Sequence, residues 1–226
     1  MTRFFVGITG ASGHAYADAL LRALLAAGHE VDLAATPAGC LVLRHELGVE
    51  AGVQGEELAN SLPGWLGEEA AQRVRVFRSD EVGAPPSSGT ALTGAAIICP
   101  CSMGTLGRVR AGFSSNLVER VADVALKEGR RLVLVPRETP MSAIHLENLL
   151  DLTRMGAICL PAMPGFYHHP KTLEDLVDHV VGKVLDRLSV EHRRGARWKG
   201  LDEPPGEEGA RPPESAPGGE IGRAHV

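Results

Sequence analysis

Residues 3–13 read RFFVGITGASG, an apolar run that passes without a spacer into a turn carrying glycines at positions 7, 10 and 13. Arg3–Ile8 has the composition of a buried strand, and the amphipathic periodicity that starts at His14 is that of a helix. A strand that feeds a helix through a tight turn sets up parallel pairing with the strand that follows, so this stretch decides the fold class.

Outward from it, the same alternation continues. Strands are expected at Val31–Ala35, Val74–Phe77, Ala95–Cys99, Leu132–Val135 and Ala157–Leu160. Helices are expected at His14–Ala27, Pro37–Leu47, Met103–Ala111, Asn116–Glu128, Ser142–Met155 and Thr172–Leu188. Gly156 fits the stop of the fifth helix, and Thr172 with Asp175 three residues on fits the start of the sixth. Residues 50–73 are less regular and are expected to carry a short helix over the sheet edge, while residues 85–89 form a loop. The expected fold is α/β, a three-layer Rossmann-like doubly wound parallel sheet of about six strands.

The chain has 226 residues and a formal net charge of −5, but residues 201–226 hold −4 of it. That tail is rich in Pro, Gly and Glu without apolar periodicity, so it is expected to be a disordered appendage to a domain of residues 1–200. Its last six residues match the translation of a common sequencing adapter, so the native C-terminus is expected to lie elsewhere. The body has no basic stripe, which argues against nucleic acid, and no apolar run long enough to span a bilayer. The start lacks a signal-peptide pattern, so the expected compartment is the cytoplasm. Cys40, Cys99, Cys101 and Cys159 lack the paired spacing of zinc ligands and read as buried free thiols beside strands; no metal is expected.

The chemistry-bearing residues cluster where strands end. The turn at Gly7, Gly10 and Gly13 is G-x-x-G-x-x-G, and the second strand ends in Ala34-Ala35-Thr36 with no acid for a dinucleotide ribose. This disfavours a nicotinamide site and leaves either an anion cradle on the first-turn amides or a structural tight turn. Pro100-Cys-Ser-Met-Gly-Thr105 follows the fourth strand and reads as a second phosphate or flavin cradle, or as a plain helix cap at Ser102. Arg120 and Lys127 stand two turns apart on one helix face, where they either clamp a phosphate or pair with Glu119 and Glu128 on a solvated surface. Arg137 and Glu138 end the fifth strand, placing a guanidinium beside a carboxylate for ligand binding or as a structural loop pair. Tyr167 after the sixth strand can hydrogen-bond a ligand oxygen, Lys183 lies in the next helix, and His168-His169 before Pro170 reads as a turn.

Together VGITGASG (6–13), PCSMGTL (100–106), NLVERVADVALKEGRRLVL (116–134), RETP (137–140), LPAMPGFYHHP (160–170) and RWKG (197–200) resemble the UbiX-type flavin prenyltransferases of the flavin-containing cysteine decarboxylase-like superfamily. In that family reduced FMN is the acceptor of a dimethylallyl group from dimethylallyl phosphate, and the prenylated FMN serves UbiD-type decarboxylases. The resemblance implies that Gly10, Ala11, Ser12, Thr36, Ser102, Met103, Gly104, Thr105 and Arg137 contact FMN. It implies that Arg120, Lys127, Tyr167 and Lys183 hold the prenyl phosphate, with Trp198 as a further aromatic wall, and that Glu138, Glu46 and Ser12 serve catalysis. It also implies a homo-oligomer, a dodecamer in the family, with sites shared between subunits. Thr36, Pro37, Ser115 and Lys183 stand where the family often has Ser, Lys, Asp and Arg, and none of these changes removes a chemical role. The alternatives are an FMN-dependent cysteine decarboxylase, which would need an early catalytic His and an Asn-rich motif, and a non-catalytic FMN carrier.

Overall fold

The computed structural model describes residues 1–91 and 93–195. Trp198 and the tail from residue 201 lie outside them. Six strands form one sheet: β1 Arg3–Ile8, β2 Glu30–Ala35, β3 Val74–Phe77, β4 Ala96–Cys101, β5 Leu132–Pro136 and β6 Ile158–Cys159. Their order is β3-β2-β1-β4-β5-β6 and every pairing is parallel. Strand order reverses between β1 and β4, so the crevice for ligands opens at the carboxyl ends of those two strands.

Burial of both sheet faces explains the unbroken apolar runs of the central strands. Phe5, Val6 and Ile8 of β1 and Leu132 to Val135 of β5 are all fully enclosed. On one face lie α1 (His14–Ala26) and α8 (Leu173–Leu188), which pack on each other, together with α2 (Pro37–Leu47), α3 (Leu58–Leu66) and α4 (Glu68–Ala71). On the other lie α5 (Met103–Arg110), α6 (Leu117–Lys127) and α7 (Ala143–Arg154). Leu20, Leu21, Leu24 and Leu25 of α1 are enclosed against the first face, each contributing about 1.5–3 kcal/mol relative to exposure.

Most expected boundaries hold to within two residues. Gly156 takes φ +97 just past α7, and Thr172 and Asp175 form a reciprocal capping box at α8. Residues 50–73 hold two helices, α3 and α4, where one short helix was expected. Pro63 inside α3 and Gly67 at its end interrupt the pattern, and burial of Leu58, Leu62 and Leu66 stabilises the helix despite them. Strand β6 is shorter than expected because only Ile158 and Cys159 meet partners, Val133 and Leu134.

Candidate functional site

The N-terminus of α1 is already filled by a carboxylate of the chain itself. Gly13 caps the helix at φ +117, a conformation that only glycine adopts cheaply. From α2, Glu46 reaches across and accepts from the Gly13 amide at 3.0 Å and the His14 amide at 2.8 Å. Burial alone would raise the Glu46 carboxyl; the Ser12 hydroxyl, the His14 and Gly13 amides and the adjacent His14 ring outweigh it and hold the group below its ordinary value. His14 itself is fully buried with Nδ1 3.4 Å from Glu46, and that burial lowers its pKa against the opposing pull of Glu46. The expectation of a ligand anion on these first-turn amides is therefore corrected, because an internal anion takes the place.

The neighbouring loops are tied to this turn. Buried Thr9 donates through Oγ1 to the Pro100 carbonyl at 2.8 Å and accepts from the Ser102 amide at 2.7 Å, locking the loop after β1 to the loop after β4. Ser102 caps α5, its Oγ accepting from the Thr105 amide and donating to Thr105 Oγ1 at 3.0 Å. The cap reading of Ser102 is thus realised. It leaves the Met103 and Gly104 amides, the first two of the helix, without carbonyl partners in α5. Thr36 does the same at α2, accepting from the Gly39 amide at 3.1 Å. On the far side, Arg137 donates from Nε to the Ser12 carbonyl at 3.0 Å. Half-buried Glu138 next to it accepts from the Thr139 amide. Gly10, Ala11, Ser12, Thr36, Ser102, Met103, Gly104, Thr105, Arg137, Glu138 and Glu46 therefore gather at the ends of β1, β2, β4 and β5. The fit to a phosphate-bearing ligand is good on this donor set: open amides at α5, clustered hydroxyls and one guanidinium.

The remaining cations do not join that cluster within one chain. Arg120 pairs with Asp123 at 3.0 Å, and Lys127 pairs with Glu128 and approaches Gly89. Lys127 ends α6 shortly before β5 begins, which puts it at the amino edge of the sheet. A strand length, roughly 17–20 Å, separates it from the loops that follow the strands. Tyr167 and Lys183 instead meet on the opposite face of the sheet, around His179 of α8. Glu119 is not the surface partner expected for Arg120. It is fully buried, receives Arg108 and accepts from the Ser115 amide and hydroxyl. Arg108 reaches on to Thr105 at 3.4 Å, so this ion pair braces the loop after β4 against α6.

Sequence reading missed Thr9, His14 and His179, and offered Glu119 only as a surface partner of Arg120. A Thr at a strand end and a Glu one turn into an amphipathic helix carry no local signal, because their importance comes from what crosses over them. Cys40, Cys99 and Cys101 are buried, and burial pushes the Cys40 thiol up to about 11 and the Cys99 thiol up to about 12, so they are inert at neutral pH. Among the described residues no group of His, Cys, Asp or Glu could hold a metal ion, and no helix is long and apolar enough to cross a membrane.

The profile of the family described as Flavoprotein matches residues 1–185. A flavin prenyltransferase UbiX from Halalkalibacterium halodurans is 48% identical over 195 residues, 86% of this chain and 92% of its own. The dodecameric FMN-dependent UbiX-like decarboxylase from Escherichia coli O157:H7 superposes with a TM-score of 0.77 at 41% identity, over 88% of this chain and 100% of its own. AnUbiX in complex with FMN and dimethylallyl pyrophosphate superposes with a TM-score of 0.78 at 35% identity, over 89% of this chain and 99% of its own.

Proposed function

The chain belongs to the flavoprotein family and, within it, to the UbiX-type flavin prenyltransferases, and from that premise we propose how its residues divide the work of joining a dimethylallyl group to reduced FMN. The observation that supports this division best is the convergence of three loops on the β1/β4 crevice: Thr9 bonded to Ser102, Arg137 bonded to Ser12, and Glu138 beside them.

Bound reduced FMN supplies two nucleophilic centres, the nitrogen at position five and the carbon at position six. The protein's task is to hold the acceptor, meet the charge that leaves the donor and move the protons. The α5 amides with Ser102 and Thr105 hold the flavin phosphate, and Arg137 closes over the Ser12 turn. Breaking the allylic C–O bond leaves its electron pair on the phosphate, so fixed cations must stand where that charge grows. Arg120, Lys127 and Lys183 take this role, and the Tyr167 hydroxyl donates a hydrogen bond beside them. The resemblance assigns Trp198 to the allyl group as a further aromatic wall. Glu138 would relay protons between the departing phosphate and the ring being alkylated: the proton freed from nitrogen when the first bond forms would go to the phosphate, and ring closure at carbon six would need one proton delivered to the alkene as the ring carbon loses one. Glu46, fixed on α1, remains an anion that orients the Ser12 turn.

Because α6 and α8 lie on opposite faces of the sheet, the two pairs of phosphate ligands cannot enclose one donor within a chain. The site is completed by a neighbouring copy in a homo-oligomer, in keeping with the dodecameric relative. The product is passed to a UbiD-type decarboxylase, and the cytoplasm is the compartment that buried reduced thiols suit.

The test is oxygen-free incubation with reduced FMN and dimethylallyl phosphate, followed by the mass of the extracted flavin. Gain of a five-carbon unit is expected. An unchanged flavin with both the mono- and the diphosphate donor overturns the reading.

A further inference from the structure

The loop after β6 and helix α8 hold a second arrangement that the reaction outlined above does not use. His179 projects from α8 and accepts from the Gly165 amide through Nδ1 at 3.1 Å. Its Nε2 lies 3.1 Å from the phenol oxygen of Tyr167. The His168 ring stacks on it at 5.1 Å between centroids and 10° between planes, and the Tyr167 ring meets its edge at 5.5 Å and 80°. Gly165 approaches so closely that a Cβ there would lie 2.9 Å from the Tyr167 ring.

These contacts determine where the ring proton sits. An Nδ1 that accepts from a backbone amide carries no proton, so a neutral imidazole carries its proton on Nε2. Nε2 therefore donates to the phenol oxygen, and the phenol proton is directed away from His179. The charged and titratable groups that act on the ring are His168 from the loop and Lys183 from α8, with the Tyr167 phenol at Nε2; Asp175 of α8 acts on His168, and Asp178 of α8 is paired with Arg194 from the segment beyond. Burial, with His168 and Lys183 adding to it, lowers the pKa of His179 and keeps the ring neutral at physiological pH.

We propose that His179 is a positioning residue that fixes Tyr167 as a hydrogen-bond donor to the phosphate of the prenyl donor. Protonation at Nδ1 would set two donors against each other at Gly165 and release the tyrosine, so the arrangement is present when His179 is neutral and is lost as pH falls. The proposal rests on the reading of Tyr167 as a phosphate ligand given above.

The experiment measures prenylated FMN formed at varied dimethylallyl phosphate and pH for wild type, Tyr167→Phe, His179→Phe, His179→Gln and the Tyr167→Phe/His179→Phe double variant, with FMN affinity as the check on folding. One neutral hydrogen bond corresponds to about a 3- to 10-fold change. His179→Phe, which keeps the ring packing, is expected to raise KM for the donor by about that factor, leave FMN affinity unchanged and remove the acid limb of the pH profile. His179→Gln, whose amide can still donate to the phenol, is expected to restore most of the loss. The double variant should be no worse than either single one. A Tyr167→Phe variant with wild-type KM overturns the reading of Tyr167 itself. A raised KM in Tyr167→Phe with an unchanged KM and acid limb in His179→Phe leaves that reading standing and overturns this proposal, as do additive losses in the double variant.

Discussion

At the scale of single residues, Glu46 and His14 show how an apparent ligand site becomes part of the protein. The glycine turn reads as an anion cradle, and an anion does sit there, but it arrives from α2 on Glu46. His14 is enclosed beside that carboxylate with a pKa below its ordinary value, so the unfolded chain takes up a proton near pH 6.5 that the native chain refuses. Stability from this source is present above about pH 6.5 and falls as pH drops below it. Urea unfolding at pH 7.5 and 5.5 is expected to show a smaller loss for His14→Gln than for wild type. Equal losses would mean that His14 does not titrate as described. On the proposed role of Glu138 as proton relay, Glu138→Gln is expected to retain FMN while slowing prenylation by about 10²-fold in a single-turnover assay. The cap residues Ser102 and Thr172 were legible because each acts on an amide three residues away. Glu46, His14 and His179 were not legible by the same route, since their partners come from other elements.

At the scale of elements, the close approach of α2 to β1 sets the shape of the turn. A Cβ on Gly39 would lie 2.6 Å from the Ile8 carbonyl oxygen and 3.2 Å from Thr9 Cα, both backbone atoms that cannot step aside. Gly39→Ala is expected to cost about 1–3 kcal/mol in urea unfolding and to weaken FMN binding, because displacement of α2 drags Thr36 and Glu46 with it. On the other face Arg108 neutralises Glu119, which is wholly enclosed. Arg108→Ala strands a buried carboxylate and is expected to destabilise by about 3 kcal/mol, checked by the same unfolding measurement. Periodicity revealed every strand and most helices, since a sheet covered on both faces writes continuous apolar runs into its strands. It gave only one short helix, without bounds, for residues 50–73, where Pro63 masks the extent of a helix stabilised by its buried leucines.

At the scale of the whole molecule, the order β3-β2-β1-β4-β5-β6 explains both the site and its incompleteness. The reversal at β1 and β4 brings four loops to one crevice, which the order of motifs already implied. The same reversal sends α6 and α8 to opposite faces, so Arg120 and Lys127 part from Tyr167 and Lys183. A linear sequence does not show on which face a helix lands, and these four phosphate-binding candidates therefore looked like one cluster until the topology separated them. The central claim is that reduced FMN is prenylated in a crevice of one chain by a donor held with cations of another. Co-expression of Lys127→Ala chains with Glu138→Gln chains tests it most directly, with the mass of the extracted flavin as readout. Each variant alone should prenylate the flavin far more slowly than wild type, and the mixed oligomer should form prenylated FMN at a large fraction of the wild-type rate, because some sites combine an intact Glu138 with an intact Lys127 from a neighbour. A mixed oligomer as slow as its parents would contradict the account.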